Sequence, residues 1–170
     1  MAEMKLDTKD RLILSNQYKI LESLYPNEAC DYKQHRTIVE HGYELFYSEL
    51  TTHIYDGLND NHCREVLDIL EMYRRLSCDY KQLKDRGDIN ATDVKFGGFD
   101  GNNESSYLLF HEFLIEQGKF SESPAGNSHT PSLAIYRRML EEWKPRRNKD
   151  QLNLADIQAI VKARIHPDNR

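Results

Sequence analysis

Nowhere in the chain do about 18 apolar residues run together, and the uncharged stretch Leu12 to Tyr18 is far too short to span a bilayer, so no membrane span is expected. The segment Met1 to Asp10 mixes Lys with Asp and Glu and lacks the apolar core of a secretory signal. Cysteine is scarce: Cys30, Cys63 and Cys78 are odd in number and form no CxxC pair, which fits a reducing compartment better than a disulfide framework. A cytoplasmic location is therefore expected. Catalytic signatures are missing too. There is no HExxH, no Walker lysine, no GxGxxG spacing and no GxSxG, and Asp88, Asn90 and Asp93 lack the spacing and glycine of a calcium loop. No metal, cofactor or catalytic residue is assigned on this basis, and enzymatic activity is left open with no motif to support it.

What is present points to a folded helical protein. The 170 residues fall in the usual range for one domain, and 39% apolar with 30% charged residues combines a core with a charged exterior. The net charge of −5 is uneven. Met1 to Tyr136 holds 14 Lys/Arg against 23 Asp/Glu, a balance of −9, whereas Arg137 to Arg170 holds 9 against 5, a balance of +4.

The periodicity predicts helices from Thr8 to Tyr25, stopped by Pro26, from Asn27 to His41, stopped by Gly42, and a shorter one from Tyr43 to about Leu50. A central helix is expected from Asn61 to Lys84, and a nearly all-apolar one from Asn103 to Gln117. Thr130 and Pro131 read as the start of a helix carrying Tyr136, Met139, Leu140 and Trp143 at i, i+3, i+4, i+7. Asn153 reads as the N-cap of a last helix, with Leu152 and Ile157 spaced as a hydrophobic staple. The fold class expected is mainly α: a single-domain bundle of six or seven helices, with a Gly-rich loop or short extended segment near 85–103.

The run Arg11-Leu-Ile-Leu-Ser-Asn-Gln-Tyr-Lys19, followed by Asp68-Ile-Leu-Glu-Met-Tyr73, Gly98-Phe-Asp100, Thr130-Pro131, Tyr136-Arg-Arg-Met-Leu140 and Trp143, resembles the YfbU-like family of bacterial proteins over nearly the whole chain. The resemblance implies a helical protein of about this length with no assigned reaction. Some relatives carry it beside a helix-turn-helix segment, which implies a ligand-sensing or regulatory role, and this chain has no room for that segment. It departs from the family pattern at Gly97 and Gly101 and in the basic linker Arg146-Arg147-Asn148-Lys149.

Three residues stand out as candidate ligand contacts. Gln17 lies in the apolar sector of the first helix, where a buried amide without partners would cost about 1–3 kcal/mol, so it reads as a ligand-facing or subunit-facing amide or as an ordinary buried hydrogen bond. His111, flanked by Tyr107, Leu108, Leu114 and Ile115, reads as a base or metal ligand or, more simply, as a satisfied core histidine. Asp100, in Gly97-Gly-Phe-Asp-Gly101, reads as a phosphate-loop residue or a helix cap, and its acidic setting favours the cap. The basic residues Arg137, Arg138, Arg146, Arg147 and Lys149 are candidate nucleic-acid contacts, with a solvated linker as the plainer alternative.

Weighed together, these features favour a homo-oligomeric regulatory or ligand- or partner-binding protein, with the first helix and Tyr107 to Ile115 as interface candidates. An enzyme using Gln17, Asp100 and His111 in one pocket, and a nucleic-acid-associated regulator using Arg137 to Lys149, are the alternatives.

Overall fold

A computed structural model describes residues 4–54, 57–123, 126–166 and 168. Among them are six α-helices, three 3-10 segments and no strand; the one β-bridge is parallel and joins Phe99 to Asn127. The chain is mainly α. It divides into two compact units, Met1–Asp56 and Gly57–Arg170.

The first unit is a helical hairpin. Helix α1, Thr8–Leu24, opens with a capping box in which the Asp7 carboxylate accepts from Asp10 N–H at 2.8 Å and the Asp10 carboxylate accepts from Asp7 N–H at 3.1 Å. Pro26 cannot donate to a continuing helix, so the chain turns through the 3-10 segment Pro26–Glu28 into α2, Ala29–His41. Gly42 then takes the left-handed conformation at φ 70° and closes α2 through its N–H to Ile38 C=O, as the glycine pattern predicts. A 3-10 helix, Glu44–Thr51, stands where the shorter helix is expected.

The second unit is built on α3, Asp60–Gln82, capped by the Asn59 side chain accepting from His62 N–H at 3.0 Å. Val66, Ile69, Leu70, Met72, Tyr73, Leu76 and Tyr80 are buried along it, the wide apolar face that its sequence displays. Around it lie α4, Ser105–Glu116, α5, Leu133–Trp143, and α6, Leu154–Lys162. The α6 start follows the predicted Asn153 N-cap, completed by Asp156 as a capping box, and the staple residues Leu152 and Ile157 are both buried.

The loop between α3 and α4 is fixed by Ser77 Oγ donating to Val94 C=O at 2.7 Å and Tyr80 Oη donating to Ile89 C=O at 2.9 Å. Gly98 sits at φ 94°, and a Cβ there would lie 1.9 Å from the Gly126 carbonyl oxygen. Only glycine permits the bridge at Phe99.

The start of α5 corrects the sequence reading. The helix begins at Leu133, with Ser132 as N-cap, rather than at Thr130 and Pro131. The reason is tertiary: the Glu104 carboxylate accepts from Ser132 N–H at 2.8 Å and Leu133 N–H at 2.7 Å, meeting the free donors of α5 from 28 residues away.

Candidate functional site

Asp100 is buried, but it is not the helix cap expected of it, because Glu104 holds that position on α4. Its own carboxylate accepts from Asn103 Nδ2 and, in an Asx turn, from Asn102 N–H at 3.1 Å; the Asn103 amide first and then the Asn102 N–H hold the charged form and lower its pKa. The buried Glu104 is the residue that sequence reasoning missed. Besides its two bonds to the start of α5, it accepts from Ser132 Oγ at 2.8 Å and from Asp100 N–H at 3.0 Å. Nothing in the local sequence signals a carboxylate whose partners lie in another element.

His111 is fully buried on α4, as its neighbours imply. Neither ring nitrogen has a hydrogen-bond partner among the described residues. Its ring packs edge-on against Phe96 at 5.1 Å and Phe99 at 6.3 Å. Burial lowers its pKa, opposed by the Ser123 backbone nearby, so the imidazole is held neutral. Among the described residues, no carboxylate bonds this ring to orient it as a base. Among the described residues, no group of three or more His, Cys, Asp or Glu side chains is arranged to hold a metal.

The basic residues are engaged within the protein. Arg137 forms a fork with Glu65 at 2.8 and 2.9 Å, and Glu65 also accepts from Tyr107 Oη at 2.9 Å. The arginine, and then the tyrosine hydroxyl, lower the Glu65 pKa. Arg138 donates to the Ala163 and Arg164 carbonyls at 3.1 and 2.7 Å, capping the end of α6. Arg146 and Lys149 converge on Asp156 at 3.3 and 2.7 Å, and Arg147 pairs with Asp68 at 3.2 Å above the Trp143 ring. This last pair borders a cleft of about 320 Å³ lined also by Leu67, Glu71, Arg75 and Phe120. Its charges are already matched, since Arg75 holds Asp79 at 2.7 Å and Glu71 faces Arg74 at 3.4 Å.

Helix α1 presents a different chemistry, because its apolar sector is divided: Leu14 and Leu21 are half-buried while Leu12, Ile13, Ile20 and Leu24 are exposed. The side it turns toward α2 sets polar groups beside the half-buried Leu14 and Leu21: Arg11 donates to the Val39 and Glu40 carbonyls at 2.6 Å each, Ser15 Oγ donates to Glu40 at 2.8 Å, and Glu22 accepts from Arg36 Nε at 2.6 Å. Tyr18 adds ring contacts with Tyr32 and His35 at 6.5 and 5.4 Å. The opposite face carries Leu12, Ile13, Ile20 and Leu24, with Leu12 62% and Leu24 65% exposed. Gln17 lies on this face and is exposed, so the expectation of a buried amide is corrected. The wide apolar sector is real, but α2 covers only its edge. Elsewhere in the unit, Leu45 is 85% exposed and a groove of about 450 Å³, largely apolar, runs along Cys30, Thr37, Ile38, Tyr43 and Phe46.

Gln17 thus belongs to one compact unit and Asp100 and His111 to the other. A YfbU domain is matched by residues 4–163, spanning nearly all of both units. The chain belongs to the YfbU family. It is 43% identical over 150 residues to the UPF0304 protein MJECS11 of Methanocaldococcus jannaschii, an alignment covering 82% of this chain and 88% of that protein. The family therefore extends to an archaeon, beyond the bacterial proteins that the resemblance brought into view. It is a family without an assigned activity, and no specific reaction follows from membership. Residues that carried the resemblance have structural roles here: Arg11 closes α2, Gly98 permits the bridge, and Tyr136 Oη donates to Gly98 C=O at 2.7 Å. Among the described residues no helix is long and apolar enough to cross a membrane.

Proposed function

We propose that this protein is a cytoplasmic homo-oligomer that acts by binding, in a regulatory or partner-recognising role, with its first unit as the assembly module. The observation that carries this reading is the uncovered side of α1, which packs Arg11, Ser15, Leu14 and Leu21 toward α2 and leaves Leu12, Ile13, Ile20 and Leu24 outside. These four side chains offer roughly 400 Å² of apolar surface at about 100 Å² each, within the range of the largest patch on a monomer. Such a face is stable in water only at a cost that association removes. The exposed pair Leu109 and Phe113 on α4 is a smaller second surface within the expected Tyr107 to Ile115 interface.

The alternatives have less support. Asp100 is committed to its turn, and among the described residues no side chain orients His111, so an enzyme of the expected kind finds no coupled pair there to support it. Arg137, Arg138, Arg146, Arg147 and Lys149 each hold a carboxylate or carbonyl, so binding phosphates through them would require breaking those pairs. The three cysteines are free thiols, in keeping with a reducing compartment.

Sedimentation equilibrium over a concentration series tests the proposal. A dimer or larger species at micromolar protein is expected, and monomer at every concentration would overturn it.

A further inference from the structure

We infer that the groove between α2 and the 3-10 helix Glu44–Thr51 binds a free single-chain alkyl carboxylate, with the chain along Ile38, Tyr43 and Phe46 and the head held by Lys33. The site lies wholly within the first unit and does not depend on assembly through α1, so it extends the binding role proposed above to a small molecule.

The groove arises from the way α2 divides its two sides. Tyr32, His35, Arg36, Val39 and Glu40 meet α1. Cys30, Lys33, Gln34, Thr37 and Ile38 follow the spacing i, i+3, i+4, i+7, i+8, which at about 100° per residue sets them on the opposite side. After α2 the left-handed Gly42 reverses the chain, and the Tyr43 N–H donates to the Ile38 carbonyl at 3.1 Å, so Tyr43 and Phe46 return along that side. About 450 Å³ is left between them, a volume suited to a small molecule.

The chemistry of the wall selects the occupant. Tyr43 and Phe46 are half-exposed rings that an apolar body would cover. Thr37 Oγ1 donates back to the Lys33 carbonyl at 2.9 Å, and Gln34 Nε2 donates to the Glu49 carboxylate at 3.1 Å, so both groups are already committed. A peptide main chain would bring a carbonyl and an N–H with every residue and leave most of them unpaired against such a wall, whereas an alkyl chain brings none. Lys33 supplies the charge. It is the one ionic side chain on the groove among the described residues, and among them no carboxylate lies within 4.0 Å of its ammonium. An unmatched cation beside an apolar wall is complementary to a monoanion with an apolar body.

Octanoate is the probe and Cys30 the reporter, because this thiol is free, exposed and on the groove; Cys78, exposed on α3, is the internal control. Saturating octanoate should slow iodoacetamide modification of Cys30 at least fivefold and leave Cys78 unchanged, each site read by peptide mass. Titration calorimetry should give one site per chain, with butyrate at least tenfold weaker because the chain provides the burial. Lys33→Met should weaken octanoate about fivefold and leave octan-1-ol unaffected. Phe46→Ser, at an exposed site where far-UV circular dichroism should be unchanged, should weaken both about tenfold. Absence of heat and of Cys30 protection would overturn the site, as would equal slowing of Cys30 and Cys78, the mark of general adsorption. Octanoate binding that Lys33→Met leaves unchanged would overturn the carboxylate. Cys30 protection that grows with protein concentration in the absence of octanoate would seat a second copy in the groove, overturning the ligand while supporting the homo-oligomer. Monomer in sedimentation with octanoate bound as described would do the reverse.

Discussion

The two compact units solve the same problem in opposite ways. In the second, α3 turns its apolar side inward and buries Ile69, Leu70, Met72 and Leu76 completely, so that its exposed large apolar residues are reduced to Leu67, Leu109, Phe113 and Ile165. In the first, which is half the length, nine such residues are exposed among the described residues, and the buried apolar side chains among them are Ile38, Val39 and Tyr47. The hairpin is held by Arg11, Ser15, Glu22, Arg36 and Glu40 instead. Hydrogen bonds and partly exposed ion pairs define geometry well but add little net stability, about 0.5–1.5 kcal/mol each at most. A unit joined in this way can be well shaped and still need further burial, and that need is the physical content of the assembly proposal.

The contrast can be broken most sharply at Glu104. Glu104→Ala would strand the N–H groups of Asp100, Ser132 and Leu133 in a buried site and should destabilise the second unit by roughly 3–5 kcal/mol in urea unfolding, with the first unit's hairpin unaffected. A loss under about 1 kcal/mol would mean that water replaces the carboxylate and that the site is less enclosed than it looks.

A matched pair of truncations comes next. Leu70→Ala, in the core, should cost about 2–5 kcal/mol, whereas Leu12→Ala should change stability by less than about 0.5 kcal/mol when measured at protein concentrations too low for association. Raising the concentration should open a penalty for Leu12→Ala alone. Equal losses at both positions in dilute protein would show that the α1 face is covered within a single chain.

His111 gives a smaller and pH-dependent effect. Its pKa is lowered on folding, so the unfolded chain takes up the proton more readily. Stability from this site is complete above the unfolded value of about 6.5 and is lost as pH falls through the lower folded value. His111→Leu should therefore flatten the decline in Tm between about pH 7.5 and 5.5 and raise the Tm at the acid end. An unchanged slope would mean that other groups dominate acid unfolding.

The smallest effect expected is kinetic. Amide exchange in α3 should be the slowest in the molecule and independent of protein concentration, while exchange in α1 should be faster and should slow as concentration rises. Concentration-independent exchange in α1 would count against assembly through that helix.

Much of the architecture could be read directly. Helix existence, the stops at Pro26 and Gly42, the Asn153 cap and the buried face of α3 follow from local rules, because each depends on residues within a turn or two of one another. The candidate site residues were less legible. His111 was recognisable as buried, but what surrounds its ring, Phe96, Phe99 and the Ser123 backbone, is brought together only by the tertiary fold. The basic run announced phosphate contacts only until Glu65, Asp68 and Asp156 were found opposite it.

Periodicity therefore established which helices exist and how wide their apolar sectors are, since spacing along a helix converts directly into angle around it. It could not say which sector faces inward. That was decided in three dimensions, where Arg11 reached the open carbonyls at the end of α2 and Glu104 reached the start of α5, because unsatisfied backbone groups at helix ends draw polar side chains from any distance along the chain. Once Arg11, Ser15 and Glu22 were drawn to α2 beside Leu14 and Leu21, the side of α1 that carries Ile13, Ile20 and Leu24 had only the outside left to face.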